Sequence, residues 1–133
     1  MEKYYTPEIE EFHIWFEYEW KCDGTKTDWT RSVCDSNMNP LDCDCRRIND
    51  YRVKYLDKED IESFGFDHDQ TTKDGSDYYK GSLISDSEFR LNTNKQNPTL
   101  INIWNLRNNE QIFCGIIKNK SELKVLLKQL NIL

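Results

Sequence analysis

Residues 99–133 read TLINIWNLRNNEQIFCGIIKNKSELKVLLKQLNIL. Two apolar segments flank the turn-forming run Arg107-Asn108-Asn109-Glu110, and a helix signal comes directly after the second segment. The spacing predicts a β-hairpin that runs into a C-terminal helix. Asn119 suits the helix N-cap, because its side-chain oxygen can accept from a free backbone N–H of the first turn; Ser121 is the alternative cap. Glu122, three residues after Asn119, can reach back in a capping box. Leu123, Leu126, Leu127 and Leu130 recur at i, i+3, i+4 and i+7 and so share a face, while Lys120, Lys124 and Lys128 fall on another stripe. The helix is expected to lie on a sheet with its leucines down and its lysines in water.

Both hairpin strands are apolar on two sides: Ile101 and Ile103 alternate with Leu100, Trp104 and Leu106, and Ile112, Cys114 and Ile116 alternate with Phe113 and Ile117. Two-sided burial predicts central strands. Cys114 then reads as a small apolar core residue. Gly115 marks a bulge or a close approach by another group.

Working back toward the N-terminus, Asn92–Pro98 reads as a loop, Ser87–Asn92 and Tyr78–Ile84 as strands, and Asp67–Asp77 as a polar loop. Tyr51–Leu56 reads as a short strand. Asp57 then caps a short helix whose acids, Glu59 and Asp60, sit in the first turn where the macrodipole favours them. Ile61 and Phe64 should face inward, with Gly65 just past the helix end and Phe66 closing it. Residues 21–50 are the least regular part, an excursion rich in Cys and Asp that has room for one short element. Glu11–Trp20 alternates strongly, which predicts a strand with Phe12, Ile14, Phe16, Tyr18 and Trp20 on the core face. Trp15 stands among acids on the other face. Residues 1–10 read as a lead-in.

With 133 residues and no visible linker, the chain is expected to form a single α+β domain: a mainly antiparallel sheet of about five to six strands, with the short middle helix and the C-terminal helix packed on one face. Strand order does not follow from one sequence.

The formal charge is −6, and residues 1–66 carry 16 acids against 9 bases (net −7), leaving residues 67–133 at +1. An acidic N-terminal half disfavours general nucleic-acid affinity, which needs phosphate neutralisation. It suits a basic protein surface, or one that normally holds nucleic acid. The first residues, MEKYYTPEIEEF, lack the apolar core of a secretory signal, and no apolar run reaches membrane-spanning length, so an intracellular protein with reduced thiols is expected.

Chemistry-bearing motifs are sparse. Cys22, Cys34, Cys43 and Cys45 lie in the irregular excursion, but only Cys43-Asp44-Cys45 is close, and with one residue between rather than the two to four of a zinc pair. Asp67-His68-Asp69 carries donor atoms for a divalent ion, but the residues after it do not match a calcium loop, which needs Gly at its sixth position. No nucleophile elbow, P-loop, dinucleotide fingerprint or zinc-protease motif is present. No catalytic residue, metal or cofactor is therefore assigned. Two features suit partners. Trp15, Glu17, Glu19, Trp29, Asp42 and Asp44 can form an interface in which aromatics anchor and acids steer. Lys120, Lys124 and Lys128 form a basic ridge that suits nucleic acid. A second basic cluster, Arg46, Arg47, Arg52 and Lys54, lacks the interleaved aromatics of an RNA module.

Three segments, TPEIEEFHIWFEYEW (6–20), YRVKYLDKEDIESFGF (51–66) and CGIIKNKSELKVLLKQLNI (114–132), together resemble a family of small proteins carried by phages and prophages of the Bacteroidetes group. The excursion at 21–50 and the stretch 67–77 are particular to this chain. The resemblance implies a phage protein acting in the host cytoplasm. Its natural role is non-enzymatic inhibition of a host defence nuclease, specifically as an anti-CRISPR protein against an RNA-guided effector of type VI. Acidity fits, since an inhibitor can occupy a basic channel meant for guide or target RNA. The alternatives are a phage accessory or assembly protein that binds another phage protein, and a small RNA- or DNA-binding module that uses the lysine ridge.

Overall fold

The computed structural model describes residues 3–12, 16–22, 28–34, 49–81 and 88–133. The architecture is α+β and mainly antiparallel sheet. The described strands form two sheets rather than the one expected, and the chain gathers into two compact units, residues 1–55 and 56–133. Among the described residues the buried apolar side chains fall into two clusters. Phe16, Cys34 and Val53 make one buried cluster, and Leu91, Ile101, Ile103, Leu123 and Leu127 belong to another.

The first unit contains β1 (Tyr4–Tyr5), a short 3-10 turn (Ile9–Glu11), β2 (Glu17–Cys22), β3 (Thr30–Val33) and β4 (Asn49–Lys54). Its sheet order is β1-β4-β2-β3. The predicted strand at 11–20 therefore begins only at Glu17, and the residues before Phe12 form a 3-10 turn. Glu11 holds that turn: its carboxylate accepts from the Glu8 N–H at 2.6 Å and from the Tyr5 hydroxyl at 2.7 Å. The expected core alternation survives where the strand does. Phe16 is fully buried, with Phe12 and Tyr18 packed against it. Ile14 lies outside the described residues. The lead-in contributes β1, and among the described residues the excursion contributes β3. Cys34, directly after β3, is buried beside Phe16 and Val53.

The second unit begins with α1 (Lys58–Ser63). Asp57 caps it in a full capping box: Asp57 Oδ1 accepts from the Asp60 N–H at 2.9 Å, and Asp60 reciprocates to the Asp57 N–H. That exchange explains why the Asp60 carboxylate is tolerated in a buried position, and the cap contributes about 1 kcal/mol. Gly65, at φ 90°, turns the chain out of the helix, and Phe66 seals the end. The next five strands, β5 (Asp67–Thr71), β6 (Ser76–Lys80), β7 (Phe89–Thr93), β8 (Leu100–Asn105) and β9 (Glu110–Ile116), form a meander in which each pairs with the next. α2 (Lys120–Gln129) ends the chain.

Register sorts this sheet into faces. His68, Tyr78, Leu91, Ile103 and Phe113 stand opposite one another across the five strands, as do Thr93, Ile101 and Gly115. Tyr78, Leu91, Ile101 and Ile103 are buried there with Ile61 of α1 and with Leu123 and Leu127 of α2. Both helices thus contribute buried side chains to the core on this face. Burial pushes the Tyr78 phenol above its ordinary pKa, with Glu62 and Asp57 adding to the shift.

α2 is capped as its sequence implies, with one change. Asn119 Oδ1 accepts from the Glu122 N–H at 2.9 Å, but Glu122 reaches back to the N–H of Lys118 (2.6 Å), one residue before the cap. At the other end Asn131 adopts φ 58°. The Asn131 and Ile132 N–H groups return to Lys128 and Leu127, a Schellman closure with Ile132 as its apolar contact.

Three expectations for this unit are corrected. Residues 67–77 form the β5–β6 hairpin rather than a loop. β5 is a sheet edge and mostly exposed, so it carries polar residues on both sides and lacks the alternation that betrays a strand. β9 is an edge strand, not a central one, and Ile116 is 51% exposed. Cys114 is exposed because it points away from the helices. Of the two readings of Gly115, a bulge or a close approach, the structure has the second: the bulge lies where Ile103 pairs with Phe113 and Trp104 with Gln111. What approaches Gly115 is the ring of Phe113, whose Cζ would come within 2.9 Å of an added Cβ.

Candidate interaction surfaces

The outward face of the first sheet carries three of the residues singled out from sequence. Strand alternation places Glu17, Glu19 and Lys21 of β2 on this face. Register sets Glu19 between Arg52 of β4 and Arg31 of β3, Lys21 beside Asp50, Glu17 beside Val33, and Lys54 beside Tyr4. The acids do not stand alone. Glu17, Glu19 and Asp50 share the face with Lys21, Arg31, Arg52 and Lys54, so local charge is close to balanced.

Arg52 organises the centre. Its Nε donates to Glu19 Oε2 at 3.2 Å, and both side chains are only partly exposed, at 25% and 20%. The guanidinium carbon lies 3.7 Å from the Tyr4 ring centre and 4.2 Å from that of Trp29. Lys21 Nζ lies 4.8 Å from the same Trp29 ring. A cation held against aromatic faces and fixed at its edge by a carboxylate keeps its geometry without a partner. Tyr, Trp and Arg are also the residue types that dominate binding energy at interfaces. The structure thus brings Glu17, Glu19 and Trp29 to one surface and adds Tyr4 and Arg52, which the sequence did not single out for it. Trp15, Asp42 and Asp44 lie outside the described residues, as do Cys43, Cys45, Arg46 and Arg47.

On the second unit, Lys120, Lys124 and Lys128 recur every four residues along α2 and form the predicted ridge. Lys124 and Lys128 are exposed; Lys120 is half-buried, with Nζ 5.9 Å from the Phe64 ring centre. His68 lies against the Tyr78 ring and hydrogen-bonds Thr71 at 3.1 Å.

A further surface went unnoticed in the sequence, the sheet face opposite the helices. One cross-strand row is Asp67, Tyr79, Arg90, Trp104 and Gln111; another is Asp77, Asn92, Asn102 and Cys114. Arg90 stands 5.3 Å from the Trp104 ring centre, and its buried Nε has no hydrogen-bond partner among the described residues. The second row satisfies itself: Asp77 accepts from Gln70 and Asn92, and Asn102 accepts from Gln111. Period-2 reading of the strands carries the signal for this face, but their apolar residues dominate the pattern.

Among the described residues no three His, Cys, Asp or Glu side chains gather in a metal-binding arrangement, and no helix is long and apolar enough to cross a membrane. No protein-family model, curated protein or solved structure matches the chain.

Proposed function

We propose that the protein is a non-catalytic inhibitor, carried by phage into the bacterial cytoplasm, that binds a host RNA-guided CRISPR nuclease of type VI and interferes with its guide or target RNA. The observation that supports a protein-binding role is the Tyr4–Arg52–Trp29 cluster beside Glu17 and Glu19. Aromatic anchors and a pre-positioned guanidinium lose little conformational freedom on docking, which leaves more of the contact energy as affinity. The resemblance of three segments to a phage-borne family supplies the class of partner.

The test is a tagged pull-down from host cells carrying a type VI system, then RNA cleavage assays with purified effector. Recovery of the effector is expected. Trp29→Ala is expected to weaken binding by about 2 kcal/mol, roughly 30-fold, with unchanged circular dichroism. Full inhibition by that folded variant would remove this surface from the proposal. Recovery of phage proteins alone would reassign the protein to an accessory role. RNA without the effector would move the site to Lys120, Lys124 and Lys128.

A further inference from the structure

The central strand of the five-stranded sheet, β7, presents Arg90 on the face opposite the helices. Register sets it between Tyr79 of β6 and Trp104 of β8 in one cross-strand row. Neighbours in such a row have Cβ atoms about 5 Å apart, so the two rings flank the guanidinium. All three side chains stay partly exposed. The guanidinium carbon lies 5.3 Å from the Trp104 ring centre, and the Arg90 Nε is buried with no hydrogen-bond partner among the described residues. No carboxylate among those residues forms an ion pair with Arg90.

The polar groups around it are committed elsewhere. Glu88, two residues earlier, pairs with Arg107 at 3.6 Å. Asp77 accepts from Gln70 and Asn92, and Asn102 accepts from Gln111. Asp67 stands at the end of the Arg90 row, two strands away with Tyr79 between, which strand spacing makes about 10 Å. A cation that has lost part of its hydration and gained no carboxylate in return gains more from an oxyanion than a fully hydrated one does. The planar fork of an arginine matches a carboxylate or a phosphate edge.

The surroundings choose between those two. The rows through Arg90 and Asn92 hold two acids, Asp67 and Asp77, and one base. A polyanion with a charge on every unit would meet two carboxylates for one guanidinium. A single carboxylate among neutral or basic residues meets Arg90, and its basic neighbours complement Asp67 and Asp77. We infer that this face docks a protein segment that presents one aspartate or glutamate carboxylate amid neutral or basic residues, with the carboxylate on the Arg90 guanidinium between Tyr79 and Trp104. Trp, Tyr and Arg together are the residue types that carry most binding energy at such contacts. The contact lies on a different sheet from the Tyr4–Arg52–Trp29 cluster and does not rest on the nuclease reading.

The test is a proton–nitrogen NMR titration of the whole protein with three probes at millimolar concentration. They are the end-blocked peptide Lys-Ser-Glu-Ser-Lys, its counterpart with Gln in place of Glu, and single-stranded oligouridylate. The Arg90 Nε–H and Trp104 indole N–H signals are expected to shift saturably with the Glu peptide, and the Gln peptide should bind about tenfold more weakly, as the loss of a charge-assisted hydrogen-bonded pair implies. Arg90→Gln should remove the difference between the two peptides with unchanged circular dichroism. The comparison of the peptides uses the parent protein, so it stands even where the variant fails to fold. Equal affinity for the two peptides, or no saturable shift at Arg90, would overturn the inference. Tighter binding of oligouridylate at the same signals would overturn it in favour of a nucleic-acid face.

Discussion

Phe16→Ala should destabilise the first unit by about 3–5 kcal/mol, enough to unfold much of it at room temperature. The side chain is fully buried, and its cluster contains just two other buried residues among those described, Cys34 and Val53. Phe12 meets the Phe16 ring edge-on at 5.1 Å between centres, and the Tyr18 ring lies nearly parallel to it at 6.4 Å. Rings fixed in that way cannot close on the vacated space without losing their own packing, so a cavity remains. The Phe16 carbonyl also accepts the backbone N–H of Cys34 at 2.9 Å, so this residue stands where β2 is tied to the end of β3. Urea unfolding monitored by tryptophan fluorescence reads the change. A midpoint equal to that of the parent protein would mean that the core of this unit lies elsewhere. Since Glu17 and Glu19 come next on β2, the same variant should also lose binding through this sheet.

Leu123→Ala should cost the second unit about 2–5 kcal/mol. Leu123 and Leu127 are the fully buried pair of α2, set against Leu91, Ile101 and Ile103 of the sheet. A ten-residue helix is marginal alone, so it is held by this contact more than by its own hydrogen bonds. Val125, two residues further on and 44% exposed, is the internal control: Val125→Ala should change stability by less than about 0.5 kcal/mol. Thermal melts by circular dichroism compare the two. Equal melting temperatures for the Leu123 and Val125 variants would contradict the assignment of the buried face.

What is legible in the sequence is what depends on near neighbours along the chain. The caps of α1 and α2 are legible because Asp57 with Asp60, and Asn119 with Glu122, are three residues apart. The leucine stripe of α2 is legible for the same reason. Ile101 and Ile103 announce the sheet face by alternation. The pairing of distant segments leaves no such trace. Nothing in the local pattern says that Tyr4, Trp29 and Arg52 meet, because β1, β3 and β4 come together only through the sheet order. Trp29 stands out as an anchor, but its companions and the balance of charge around Glu19 are not visible. Edges mislead in both directions. β5 looks like a loop because an exposed edge has no buried side to alternate against, and β9 looks central because its residues are apolar. Cys114 reads as core on composition and belongs to the outer face by register.

The strand orders of the two sheets also set how quickly each can form. In the meander every strand pairs with its neighbour in sequence, so each hairpin closes over a short loop. In the first sheet β2 must find β4 across residues 23–48, and Tyr4 must find Lys54 across about fifty residues, both longer closures than those of the meander. Refolding monitored by stopped-flow fluorescence should therefore show the signal of Trp104 recovering ahead of that of Trp20 and Trp29, when each tryptophan is read separately in a background where the others are Phe. During synthesis the order of emergence runs the other way. The segment that needs the longest search leaves the ribosome first, and it waits for β4 before it can complete its sheet.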